Sequence, residues 1–112
     1  MTEIAEIEVA DALGVLQGGA LLIDVREPEE WEAGHAPGAR HIPLAELPDR
    51  LGELDASDRI VVICRSGGRS ALATEWLTEA GFDAANLIGG MQAWAQSGQG
   101  VETDAGGPGR VA

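Results

Sequence analysis

Apolar positions along the chain fall into two alternating patterns. The runs "ALLIDVR" and "RIVVIC" are continuous, rich in Ile, Val and Leu, and bounded by glycine or charge, which is the composition of strands buried on both faces. Around them, apolar residues recur at helical intervals. Ala12, Leu13 and Leu16 do so in "DALGVLQGG", which closes on a glycine pair. Ala71, Leu72, Trp76, Leu77 and Ala80 do so in "GRSALATEWLTEAG", which stops at Gly81, the residue type that ends helices. Pro28 opens a helical turn in "EPEEWEAG", since its missing N–H is one that a helix N-terminus leaves unpaired anyway. "RHIPL" reads as a short extended piece, "LAELPDRLGEL" as a helix interrupted or started near Pro48, "AANLIGG" as a third short strand and "MQAWAQSG" as a last short helix.

Strands alternating with helices predict an α/β fold, a parallel sheet with helices on both faces and no internal repeat. A chain of 112 residues with 45% hydrophobic content fills one core, and residues 1–98 are expected to form it. Residues 99–112, "QGVETDAGGPGRVA", carry few apolar side chains and read as a flexible C-terminal tail that does not pack. In parallel sheets, ligands bind beyond the carboxyl ends of the strands.

Charge narrows the partners. Nineteen acidic residues against seven arginines leave a net charge of −12, a field that repels nucleic acid and anionic membrane surfaces, so neither is an expected partner. No window holds the roughly 18 consecutive apolar residues of a membrane helix. The opening "MTEIAEIEVADA" is acidic where a secretory signal would be basic and then apolar, so the expected location is cytoplasmic. The single cysteine, Cys64, excludes an internal disulfide, and with two histidines it makes too few ligands for a structural zinc site. No metal and no cofactor is expected.

Packing or reactivity remains for Cys64. A strand-end cysteine is often only a small buried hydrophobe. Burial alone, however, does not call for Arg65, Gly67, Gly68 and Arg69 directly after it, because both arginines would need partners in an apolar setting. The glycines let the backbone curl so that N–H groups between Arg65 and Ser70 converge on one point, and a helix beginning near Gly68 adds its positive end. Each of these favours thiolate over thiol. A cysteine in such a place falls from a pKa of about 8.5 to roughly 3.5–7.5, which makes its sulfur both nucleophile and leaving group near neutral pH.

These residues resemble those of a known family. "CRSGGRS" after a buried strand is similar to the active-site loop of the rhodanese family. "LLIDVREPEEWEAGHAPGARHIPL" resembles its upstream signature, an Asp-x-Arg strand end followed by Gly-His-x-Pro-Gly-Ala, and "LIGGMQAW" resembles its Gly-Gly-x-x-x-Trp element. The resemblance covers about residues 9–98 and implies a rhodanese-like fold and a sulfurtransferase. By it, Cys64 takes a sulfane sulfur from a donor such as thiosulfate, holds it as a persulfide and hands it to cyanide or a thiol. The amides of Arg65, Ser66, Gly67, Gly68, Arg69 and Ser70 would cradle the outer sulfur, and Arg65 and Arg26 would contact substrate. Asp24 would tie down the loop or nearby backbone, with local bonding the favoured role.

At Ser66 the sequence departs from animal thiosulfate enzymes, which carry lysine there, so the site lacks one cation that would hold thiosulfate. Arg69 stands where the family accepts several residue types. His35 and His41 fall in "GHAPGARHIP", which looks like the family's structural turn, and are expected to be hydrogen-bonded structural histidines. Glu27, Glu29, Glu30 and Glu32 read as a solvated helix face, and Trp31, Trp76 and Trp94 as core or edge residues.

Four residues separate Cys64 from Arg69, whereas related cysteine phosphatases and arsenate reductases place five between cysteine and arginine. The smaller ring suits a single sulfur atom better than a tetrahedral oxyanion. Two readings stay open: an enzyme turning over a small sulfane donor, and a sulfur-carrier or delivery module that receives persulfide sulfur from a protein partner. Lacking a second cysteine, the chain cannot resolve its own persulfide, so the thiol or cyanide acceptor comes from outside.

Overall fold

The computed structural model describes residues 3–112. Strands β1 (Ala5–Ile7), β2 (Leu21–Asp24), β3 (Arg40–His41), β4 (Arg59–Ile63) and β5 (Asp83–Leu87) form one parallel sheet in the order β1-β5-β4-β2-β3. Helices α1 (Val9–Gln17), α2 (Pro28–Ala33), α3 (Gly68–Glu79) and α4 (Gly90–Gln96), with a 3-10 stretch over Leu44–Glu53, make the connections.

The continuous apolar run of β4 has a direct cause. Successive side chains on a strand point to opposite faces, so a strand covered on both sides must be apolar at every position. Ile60, Val62 and Cys64 pack on one face with Leu47 of the 3-10 stretch and Ala73 and Leu77 of α3. Val61 and Ile63 pack on the other with Val9 and Ala12 of α1 and Met91 and Trp94 of α4. Full burial of each such aliphatic side chain contributes about 1.5–3 kcal/mol, which makes β4 the anchor of the sheet and of the loop that follows it. The α/β architecture expected from the sequence is the one observed.

Topology fixes where a site can lie. The chain leaves β2 toward β3 on one side of the sheet and leaves β4 toward β5 on the other. The loops after β2 and β4 therefore diverge from neighbouring strands and open a crevice at the carboxyl edge, the place where open α/β sheets bind ligands. The amide of Val25 donates to the Ile63 carbonyl at 3.0 Å, which keeps the two loop origins side by side.

Three local features differ from the sequence expectation. β1 is an additional short strand, paired to β5 through Ala5, Glu6 and Ile7. Leu44–Glu53 is a 3-10 stretch rather than an α-helix, with Pro48 inside it. Proline has no N–H to donate and its ring crowds the preceding turn, which breaks the α-helical ladder. Residues 99–112, expected to stay unpacked, lie against the domain. His35 and Glu102 exchange backbone bonds of 2.8 and 2.9 Å, and the Arg110 amide donates to Ala33 at 2.9 Å. Val101 and Val111 pack against the α1/α4 core, and the Trp94 indole N–H donates to the Gly100 carbonyl at 2.8 Å. Backbone pairing and two valines hold this segment, neither of which shows as apolar periodicity.

Candidate active site

Cys64 follows β4 directly and is almost wholly buried. The loop above it turns through Gly67, whose φ of 114° is a conformation that side chains with a Cβ rarely adopt. That turn points the Gly67 amide back at Cys64 Sγ, 3.1 Å away. It also starts α3 at Gly68, so the helix's positive end faces the sulfur. The Ser70 hydroxyl lies 3.2 Å from Sγ. Burial pushes the Cys64 thiol up, but the Ser70 hydroxyl and the amides of Ser70, Gly67 and Ser66 more than offset this and leave it below its ordinary value.

Two elements brace the loop from below. Asn86 on β5 donates through Nδ2 to the Gly67 carbonyl at 3.2 Å, and its Oδ1 lies 2.5 Å from the Ser70 hydroxyl. The single Ser70 proton thus has two acceptors, Asn86 Oδ1 and a Cys64 thiolate. The start of α4 is the second brace. Its Met91 and Gln92 amides donate to the Cys64 and Arg65 carbonyls at 2.8 and 3.1 Å. Gly90, with φ of 56°, makes that approach possible, because a Cβ there would run into the carbonyls of Cys64 and Arg65. The Gly-Gly pair of "LIGGMQAW" has a structural reason: it lets α4 seat against the cysteine loop.

The opposite wall comes from the loop after β2. Asp24 and Arg26 are fully buried, and Asp24 accepts from the Arg26 amide at 3.1 Å and from its guanidinium at 2.7–3.0 Å. The remaining Arg26 donors reach the Glu30 and Gly34 carbonyls at 3.3 and 2.8 Å. These contacts hold Arg26 as a tie between the β2 loop and α2, in place of the exposed guanidinium that a substrate contact would use. Asp24 is its counter-ion, in keeping with local bonding.

Arg69 and Glu30 bridge the two walls. Arg69 NH1 and NH2 meet the two Glu30 oxygens at 2.6 and 2.8 Å, a forked pair across the crevice mouth. The Arg69 guanidinium holds the Glu30 carboxyl down to about 2, against an ordinary 4.5. Glu30 in turn raises Arg69, as does the neighbouring Cys64 thiolate. Glu30 is thus not part of a solvated helix face. Its Oε1 also accepts the Glu27 amide at 3.1 Å, in a capping box that starts α2.

The side chains of Arg65 and Ser66 are exposed. Arg65 Nε donates to the Ala112 carbonyl at 2.9 Å. Of the loop residues, Ser66, Gly67 and Ser70 direct donors at Cys64. Asn86 and Glu30 were not apparent as site residues from sequence. Only the reversal of strand order puts β5 beneath the loop and α2 across from it. The histidines have hydrogen-bonding roles. His35 Nε2 meets Asp104 at 2.9 Å, His41 Nε2 meets the Arg26 carbonyl at 2.7 Å, and both rings stack on Trp31 with centroids 3.7 and 4.8 Å away.

The profile of the Rhodanese-like domain matches residues 8–97. The chain belongs to that family. YrkF, a candidate sulfur carrier protein of Bacillus subtilis (strain 168), is 45% identical over 74 residues, 65% of this chain and 40% of YrkF. The chain thus spans less than half the length of that relative. YtwF of the same organism, a candidate sulfurtransferase, is 47% identical over 73 residues, 65% of this chain and 71% of YtwF. The crystal structure of a rhodanese-related protein from Thermoplasma volcanium superposes with a TM-score of 0.82 at 33% identity, covering 87% of this chain and 96% of that one. Among the described residues of this rhodanese-like domain, no helix is long and apolar enough to cross a membrane.

Proposed function

We propose that the protein is a sulfurtransferase that carries one sulfane sulfur on Cys64. The observation that supports this most is the crown of donors aimed at Sγ, the Gly67 amide at 3.1 Å and the Ser70 hydroxyl at 3.2 Å, which lowers the thiol's pKa in an otherwise apolar setting. The Cys64 thiolate attacks the outer sulfur of a donor. A new S–S bond forms, the donor's own S–S bond breaks and its electron pair leaves with the departing group. With thiosulfate that group is sulfite; with a persulfide, R–S–SH, it is the thiolate R–S⁻, and the proton stays on the transferred sulfur.

The outer sulfur then sits among the loop amides of Arg65 to Ser70, where the thiolate's charge was held before. An acceptor thiol or cyanide takes that sulfur and returns Cys64 to thiolate. With one cysteine in the chain, the acceptor is a second molecule, small or protein.

A carrier or delivery role, with sulfur received from a protein partner, is the second reading, favoured by the 45% identity to YrkF. Both readings share the Cys64 persulfide. Incubation with a sulfane donor should add the mass of one sulfur atom, removable by cyanide or dithiothreitol, and Cys64→Ser should gain none. An adduct retained in Cys64→Ser would overturn the proposal.

A further inference from the structure

Two of the three guanidinium groups of the two loops, those of Arg26 and Arg69, are matched by carboxylates. Arg26 is neutralised by Asp24 in full burial, with a 2.7 Å ion pair. Arg69 gives both terminal nitrogens to Glu30. Glu30, whose carboxyl Arg69 holds well below its ordinary value, is fixed in place by the start of α2, since the oxygen that takes Arg69 NH1 also accepts the Glu27 amide. Arg65 is the remaining cation of the loop, is exposed and donates to the Ala112 carbonyl. Position 66, next to it, is a serine.

A dianion approaching Cys64 would therefore meet one thiolate, two matched ion pairs and the single exposed cation Arg65, within a chain of net charge −12. To gain the Arg69 guanidinium it must displace Glu30 from a forked contact, and it must also bear repulsion from the carboxylate it displaces, which leaves Arg65 as the loop cation not already held by a carboxylate. A donor of low charge faces neither barrier, because the amides and the Ser70 hydroxyl that receive its sulfur are neutral.

We propose that Glu30 is a donor-selecting residue: by occupying Arg69 it withholds one of the two loop cations that could hold a dianionic donor, and the sulfur source of this site is an alkyl persulfide rather than thiosulfate. The inference rests on the Cys64 persulfide reading and narrows its substrate class. The favoured step is Cys64–S⁻ with R–S–SH giving Cys64–S–SH and R–S⁻, balanced in atoms and charge and needing no outside oxidant.

The test is single-turnover loading of the full chain, followed by intact mass, with N-acetylcysteamine persulfide and with thiosulfate at equal concentration. The ratio of the two rates does not depend on how much of a variant is folded. Wild type should load at least about tenfold faster from the persulfide. Glu30→Gln should raise the thiosulfate-to-persulfide ratio by roughly tenfold to a hundredfold, the range of one charge-assisted contact. The double variant Glu30→Gln/Arg69→Gln should lose that gain, since the freed cation is its cause. An unchanged ratio in Glu30→Gln, or a gain that survives loss of Arg69, overturns the inference while leaving the Cys64 persulfide intact. Loading from neither donor overturns the persulfide reading itself, and this inference with it.

Discussion

The loops after β2 and β4 begin from neighbouring strands and line the same crevice, yet they handle charge in opposite ways. The β2 loop uses full charges, Asp24 against Arg26 in full burial and Glu30 against Arg69 at the mouth. The β4 loop meets its one anion with neutral dipoles, the Gly67, Ser66 and Ser70 amides and the Ser70 hydroxyl. An ion pair brings its own neutralisation and suits a permanent scaffold. A ring of N–H groups can hold a sulfur atom that is anionic, then bonded to a second sulfur, then anionic again, with no counter-ion to move. The difference separates what shapes the crevice from what performs chemistry in it.

The largest expected effect breaks the charged side of this comparison. Asp24→Asn leaves the Arg26 guanidinium buried with a neutral partner, and loss of one member of such a pair costs about 3–5 kcal/mol. Urea denaturation should show that loss, while the β4 loop of the folded fraction keeps its reactivity toward alkylating agents. Next in size is Gly90→Ala. The new methyl meets the backbone of Cys64 and Arg65 at a residue with φ of 56°, so α4 must shift away from the loop. Overpacking of this kind costs about 1–3 kcal/mol. Here, unlike in Asp24→Asn, loading of Cys64 should slow in the folded protein, as measured by single-turnover mass.

The smallest effect lies in the acid range. Because Arg69 depresses Glu30 from 4.5 to about 2, the pair's stabilisation is fully present above pH 4.5 and is lost as pH falls through 2. Glu30→Gln should lower the thermal midpoint near neutrality, and the gap from wild type should close toward pH 2. Both partners are partly exposed, so the difference should not exceed about 1 kcal/mol.

How much of this was legible beforehand follows from what each residue depends on. β2, β4 and α3 announce themselves because two-sided burial and helical periodicity leave marks on consecutive residues. β1 is three residues on a sheet edge with little burial, so it leaves none. The 3-10 stretch carries its proline openly, but apolar spacing does not distinguish it from a broken α-helix. In the site, Cys64 and the residues through Ser70 act within one loop, and their order alone suggests a cradle. Glu30 and Asn86 act across 39 and 16 residues of chain, so their roles appear only once the strand order is known. Arg26 shows the converse: a strand-end arginine reads as a substrate contact, while the folded chain buries it against Asp24, Glu30 and Gly34.

The central claim is that neutral donors, not the arginines, hold the sulfur anion. The rate of Cys64 alkylation against pH, taken in parallel for wild type, Ser70→Ala and Arg69→Gln, measures this directly. Wild type should show a midpoint below the free-thiol value of about 8.5. Ser70→Ala should raise it by about one unit or more, the equivalent of one hydrogen bond to a charged group. Arg69→Gln, whose charge is already matched by Glu30, should move it by less. A wild-type midpoint at or above about 8.5, or a larger shift in Arg69→Gln than in Ser70→Ala, would contradict the account.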